Sequence, residues 1–311
     1  MSSQGLADPS QNPLSSVRLA GDPLRIPVER LVSTHAGRRW AVTEARDMSE
    51  FACHPCAILS DGSYRVFAKF SDAANGQEQF EIELAGLRLL SERAGILTPT
   101  LIGIAPVTGG SILVLEAVRA VDRTPRHWRQ IGQALARLHR VKGKRFGLDR
   151  HGFFGPLYQD NTPSDDWPAF YTERRLQPGL RLAADSGHMP PALIRQVERL
   201  IARFPDLCGP AVAPTLLHGD AQQNNFISTE QGPVVIDPAV YYGDPEVDLA
   251  SIDLFQPVPA DVFAGYQEEL PIDPGFWERR YLWRVCGYLA GVTVEGPAYL
   301  SRLTEAVRKY I

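Results

Sequence analysis

Inside a long region of helical periodicity, two short apolar strands each run out onto an aspartate. Leu216-Leu217 leads into His218-Gly219-Asp220, and Val234-Val235-Ile236 leads into Asp237-Pro238, with the two carboxylates seventeen residues apart. A loop at the end of a strand holds a polar side chain at the rim of a rigid apolar support, within reach of a substrate. Taken singly, either aspartate would more often be a turn former or a helix cap. Their pairing, with Asn225 five positions after Asp220, points to chemistry.

The rest of the chain is organised around that interruption. Residues 1 to about 24 carry Ser, Gln, Pro, Gly and Asp with few large apolar groups, and such a stretch is expected to be a mobile tail. From Arg38 to Phe70 the pattern predicts strands: Arg38-Arg39-Trp40-Ala41-Val42-Thr43, then Ala57-Ile58-Leu59, then Tyr64-Arg65-Val66-Phe67-Ala68-Lys69-Phe70. Asp61-Gly62 between the last two marks a tight hairpin. Phe80, Leu84, Leu87 and either Leu90 or Ser91 recur at helical spacing, with Gly95 and Pro99 as stops, and Ser111–Glu116 reads as a buried strand. Beyond the hinge expected near Leu115 to Val121 the chain is mostly helical, with stripes at Trp128, Ile131, Leu135, Leu138 and at Leu193, Val197, Leu200, Ile201. The fold class predicted is α+β and two-lobed: a small β-rich lobe over 25–118 and a larger, mainly helical lobe over 119–311.

Composition removes several classes of function. With 44% hydrophobic and 22% charged residues in 311, the chain can bury a core. Its 32 Lys+Arg against 36 Asp+Glu give a net charge of −4, so no cationic field exists to grip a nucleic acid, and no such partner is expected. No apolar run approaches the ~18 residues that span a bilayer, and Met1 to Leu14 lack the regions of a secretory signal. Four cysteines are too few for a disulfide scaffold. A cytoplasmic chain without a membrane partner is expected, with a monomer as the favoured state.

Phosphoryl transfer from a nucleotide suits the aspartate–asparagine–aspartate set. That reaction needs magnesium bridging the phosphates, an acceptor hydroxyl held in line, and a carboxylate to take its proton. Magnesium is hard and retains waters, so one carboxylate and one amide oxygen suffice as protein ligands.

Longer motifs carry a resemblance. His218-Gly219-Asp220-Ala221-Gln222-Gln223-Asn224-Asn225 is followed by Ile236-Asp237-Pro238-Ala239-Val240-Tyr241-Tyr242-Gly243-Asp244-Pro245-Glu246-Val247-Asp248-Leu249-Ala250. Upstream stand Phe146-Gly147, Gly155-Pro156-Leu157-Tyr158-Gln159-Asp160-Asn161, Trp167, Phe170-Tyr171 and Arg174-Arg175-Leu176. Over residues 30 to 295 the chain resembles the fructosamine kinase (ketosamine-3-kinase) family. That family sits among the aminoglycoside-phosphotransferase and choline-kinase-like proteins, which have a protein-kinase-like fold. The resemblance implies an ATP- and Mg2+-dependent kinase acting on a sugar hydroxyl of a small-molecule or protein-bound ketosamine, in repair of glycated amines. It implies Asp220 as catalytic base, Asn225 and Asp237 as magnesium ligands, and Lys69 on the α- and β-phosphates. Glu83 would pair with Lys69, with Glu81 as the competing candidate, and Glu116 to Val118 would offer backbone groups to adenine. The first lobe would then bind the nucleotide and the second carry catalysis and the acceptor.

Two departures bear on the details. The stretch Val42–Ser49 has no glycine, leaving Ser49 and Lys69 to contact the phosphates. Where the family commonly has Leu-Trp-Ser-Gly, this chain has Ala221-Gln222-Gln223-Asn224, losing an aromatic face for a sugar ring. Another amino sugar or an aminoglycoside-like acceptor, or a nucleotide-binding pseudokinase, is the alternative. His218 and Asp248 read as structural, with Asp248 capping a helix and bracing the loop. Cys53-His54-Pro55-Cys56 lacks two further ligands nearby for zinc and reads as incidental thiols. Arg174 and Arg175 read either as acceptor contacts or as a charged helix face.

Overall fold

The strand-forming residues before 118 build one antiparallel sheet, and the later ones build small ribbons among helices. The computed structural model of the chain describes residues 17–51 and 54–311. These divide into two compact units: one runs to Glu81 and includes Pro99–Arg119, the other comprises Ile82–Thr98 and Ala120–Ile311.

In the first unit, helix α1 (Asp22–Ala36) precedes strands β1 (Glu44–Asp47), β2 (Cys56–Ser60) and β3 (Arg65–Ser71). Helix α2 (Gly76–Ala94) crosses the division, and β4 (Leu101–Val107) and β5 (Gly110–Glu116) complete a sheet of order β1-β2-β3-β5-β4. Asp61 shapes the β2–β3 turn: its Oδ1 accepts from the N–H groups of Ser63 and Tyr64 at 2.9 and 2.7 Å. Alternate β3 residues Val66, Ala68 and Phe70 pack with Leu24, Val28 and Val32 of α1 and with Ile112 and Val114 of β5. Lys69 belongs to the other face, 4% exposed, in register with Cys56 and Leu113.

Three expectations change here. Residues 38–43 form no strand. Trp40 and Val42 are buried, but their N–H groups donate to Ser33 Oγ and Glu29 Oε1 of α1, so alternation reflects burial beneath a helix and the ladder starts at Glu44. The tail predicted to residue 24 does not reach so far: Val17, Leu19, Ala20 and Leu24 are core residues, because α1 needs an apolar cover. The remainder of that tail, 1–16, lies outside the described residues. The unit boundary falls within α2, so the second half of that helix goes with the helical unit. Cys53 also lies outside the described residues, and among those described no group of three or more His, Cys, Asp or Glu side chains gathers as a metal cage.

The second unit contains α3 (Pro125–His139), β6 (Gly152–Phe154), β7 (Leu157–Gln159) and α4 (Trp167–Tyr171). A π-helical turn leads into α5 (Gln177–Asp185), followed by α6 (Pro191–Leu207). Four short strands come next: β8 (Thr215–Leu217), β9 (Phe226–Thr229), β10 (Gly232–Val235) and β11 (Tyr241–Gly243). Helices α7 (Glu246–Ser251), α8 (Asp261–Gln267), α9 (Phe276–Glu295) and α10 (Leu300–Arg308) close the chain. The two strands expected before Asp220 and Asp237 do not pair with each other. β8 pairs with β11 and β10 with β9, all antiparallel. Leu216, Leu217, Phe226 and Val235 bury these ribbons in the same core as Leu135, Phe170, Phe204 and Trp283. No described helix is long and apolar enough to cross a membrane.

Candidate active site

Two crossing loops carry the acidic residues. The first leaves β8 at His218, the second leaves β10 at Ile236, and backbone hydrogen bonds tie them together. Ala239 N–H donates to His218 O at 2.8 Å, and Ile236 N–H donates to Asn225 O at 3.0 Å. The crossing is so close that a Cβ on Gly219, whose φ is +80°, would lie 1.9 Å from Ala239 O. Asp248, fully buried on α7, grips the first loop from behind. Its Oδ2 accepts from His218 N–H at 2.7 Å and its Oδ1 from Gly219 N–H at 3.0 Å. His139 and then Tyr266 back Asp248 through contacts of 3.2 and 2.8 Å. Asp248 therefore braces, as expected, but does not cap α7. The Glu246 N–H is taken instead by Asp244 Oδ1.

Asp220 sits half-buried at the tip of this arrangement. Burial, and secondly the negative charge of Asp237, push its carboxyl up to about 7, while the amides of Asn225 and Gln222 pull the other way. A carboxylate with raised proton affinity suits acceptance of a hydroxyl proton. Asn225 is 5% exposed, and its Nδ2 donates to Asp220 O at 2.8 Å. With the amide nitrogen turned to Asp220, Oδ1 is the atom left to act as an oxygen donor. Asp237 is the one non-glycine among the described residues with positive φ, at 50°, a conformation tolerated by Asp at about 1 kcal/mol and typical of functional turns. One carboxylate and one amide oxygen are hard donors that fit magnesium, which keeps waters and phosphate oxygens for its remaining positions.

His218 is excluded as a proton carrier. Asp220 N–H donates to its Nδ1 at 3.2 Å, so the proton lies on Nε2, which donates to Ile236 O at 3.0 Å. Burial holds its pKa below the usual histidine value, and both nitrogens are committed to backbone.

Lys69 is central in β3, a buried lysine on a strand. Glu83 is half-buried on α2, whereas Glu81 is exposed and accepts from Gln77 Nε2 at 2.9 Å, which favours Glu83 as the structured carboxylate. At the end of β5, Glu116 N–H donates to Thr100 O and Ala117 N–H to Arg65 O, whereas Val118 N–H makes no backbone bond among the described residues. Ser49 Oγ donates to Asp47 Oδ1 at 2.6 Å and accepts from Cys56 N–H at 3.1 Å, so it closes a turn on β2.

Sequence reasoning missed the support from the β6–β7 hairpin. Gln159 Nε2 donates to Ala239 O at 3.3 Å and to Asn161 Oδ1 at 3.2 Å, wedging the hairpin against the second loop. Arg175, 7% exposed, donates to Asp160 O and Asn161 Oδ1 and stacks over Tyr241, its guanidinium 4.2 Å from the ring centre. It is thereby committed to structure, and Arg174 pairs with Asp160 at 3.1 Å. Only the motif Gly155–Asn161 signalled this hairpin; no periodicity did.

Comparison with known proteins shows the family and the fold. A family profile described as Fructosamine kinase covers residues 26–311. A probable ketoamine kinase of Synechocystis is 31% identical over 288 residues, 91% of this chain and 95% of that protein. The crystal structure of a putative fructosamine-3-kinase from Thermobifida fusca is similar with TM-score 0.79 and 32% identity, over 91% of this chain and 97% of the other. A thermostable mutant of an aminoglycoside phosphotransferase, solved with AMP-PNP and hygromycin B, shares the fold at TM-score 0.58 and 18% identity, over 91% and 98% of the chains.

Proposed function

The chain belongs to the fructosamine kinase family, and from that premise we propose that it transfers the γ-phosphoryl group of ATP to a sugar hydroxyl of a ketosamine. The observation that carries this is the gathering of Asp220, Asn225 and Asp237 on two loops tied by the Ala239–His218 and Ile236–Asn225 hydrogen bonds. Asp220 takes the proton of the acceptor hydroxyl as the new O–P bond forms. Its loop is held by Asp248, so the base needs little reorganisation. Asn225 Oδ1 and Asp237 would hold Mg2+, which supplies charge neutralisation for the phosphates when bound. Lys69 would meet the α- and β-phosphates, Glu83 would orient Lys69, and Glu116 and Val118 would address adenine. With Gln222 standing where the family commonly has an aromatic residue, acceptor recognition rests on hydrogen bonding more than on stacking. With ATP as donor, the cytoplasm would be the working compartment. One chain carries every residue assigned, so a monomer suffices.

The test is coupled ATP turnover with ribulosamine, fructosamine and aminoglycoside acceptors, run on wild type and Asp220→Asn in parallel. Turnover with a ketosamine should fall by about 10^2- to 10^4-fold in the variant, with nucleotide binding retained. Undiminished turnover in Asp220→Asn, or activity confined to aminoglycosides, refutes the reading.

A further inference from the structure

Asn225 ends a short 3-10 turn, Gln223–Asn225, that runs straight into β9, with the Asn225 carbonyl taking Ile236 N–H at 3.0 Å. Short 3-10 segments have poor internal hydrogen-bond geometry, so the turn depends on what grips its flanks. The carbonyls on either side of Asn224-Asn225 are held by one group. Arg123 Nη2 accepts nothing and donates to Gln223 O at 2.8 Å and to Phe226 O at 2.6 Å. Nη1 of the same guanidinium stands 3.4 Å from Gln223 Oε1. The fork is itself held in plane, its central carbon 4.5 Å from the ring centre of Trp128 on α3. Two residues earlier, Val121 N–H donates to Ser228 O at 2.9 Å, laying the segment along β9. Gln223 is fixed on its far side as well, its N–H on Ile252 O and its Nε2 on Gln256 O.

An arginine that merely decorated a surface would face solvent or a carboxylate. Arg123 is part-buried, and its hydrogen bonds go to carbonyl oxygens bracketing a proposed metal ligand. A planar guanidinium reaches two carbonyls at once, which an ammonium on a flexible stem does not reproduce. Losing a group that orients a ligand from behind typically costs about 10- to 100-fold in metal affinity.

We propose that Arg123 is a positioning residue for the divalent cation: it fixes the turn carrying Asn225, and so the direction of Asn225 Oδ1, without touching cation or substrate. This rests on Asn225 and Asp237 being the cation ligands. The test uses the full chain with Mn2+ as probe and ADP present, free Mn2+ being followed by its electron paramagnetic resonance signal. In Arg123→Lys and Arg123→Gln the Mn2+ dissociation constant should rise about tenfold or more, while ADP without metal binds as in wild type. The Mg2+ half-saturation of turnover should rise by more than kcat falls. Unchanged Mn2+ affinity in the folded variants overturns the proposal, as does an equal loss of metal-free ADP binding. Wild type that binds no Mn2+ with ADP overturns the ligand assignment and this inference together. Should both variants fail to fold, Trp128→Leu removes the face under the guanidinium but keeps its fork. It should weaken Mn2+ by about two- to fivefold, and unchanged affinity there overturns the proposal.

Discussion

Gly219→Ala tests whether the two loops are interlocked. At φ +80° an alanine carries a left-handed penalty of about 1–2 kcal/mol. Its methyl would also lie 1.9 Å from Ala239 O, closer than any real contact. Ala239 would have to retreat by more than 1 Å, breaking its N–H bond to His218 O. Leaving that buried donor unsatisfied costs about 1–3 kcal/mol. Together these amount to roughly 2–5 kcal/mol, or about 5–15 °C in Tm for a unit of this size. A displacement near 1 Å beside the base should lower kcat by about 100-fold. Gly187→Ala is the control: its φ is +76° but nothing lies within 4 Å, so only the left-handed penalty of about 1–2 kcal/mol applies and turnover is unchanged. Calorimetry and coupled ATP turnover read both effects. Were Gly219→Ala to melt with Gly187→Ala and keep kcat within about threefold, the close crossing of the loops would not be what organises the site.

Asp248→Asn leaves one oxygen to serve the N–H groups of both His218 and Gly219. About 1–3 kcal/mol of stability and most of the turnover should go, with faster amide exchange at those two residues; unaltered exchange counts against the brace. Asp244→Asn addresses pH. Burial, then the charge of Glu246, raise the Asp244 pKa to about 7 from 3.8. A pKa higher in the folded state means stability present below about pH 4 and lost as pH rises through about 7, by at most about 4 kcal/mol. Asparagine keeps the acceptor for Glu246 N–H, so the variant should be more stable than wild type at pH 8 and equal at pH 4. Urea midpoints that run parallel across that range would contradict this.

The elements legible in the sequence are those made by neighbours. β2 and β3 follow from Asp61-Gly62 and the β-branched and aromatic run after it, since Asp61 makes the turn with its own side chain. Helices α2, α3 and α6 follow from spacing, because one face must be buried. Helix α1 was not legible, as Pro23 and Pro27 argue against helix although its start tolerates Pro23. Strand β4 was missed for a similar reason: Gly103 and Pro106 weaken the pattern, and both are tolerated because β4 is an edge strand. Trp40 and Val42 misled because burial alternates there while their N–H groups turn to Ser33 and Glu29.

The sequence by itself pointed to the reaction class, which membership of the family supports, and singled out Asp220, Asn225 and Asp237 as candidates for it, since their chemistry and short spacing survive any folding of the surroundings. Tertiary structure decided what each of them can do. It set the proton of His218 on Nε2, gave the amide nitrogen of Asn225 to Asp220 O, gave Asp248 two N–H groups to hold, and brought Arg123 to Gln223 across one hundred residues. Such contacts join positions with no periodic relation, and a hydrogen bond between distant residues leaves no trace in composition or spacing.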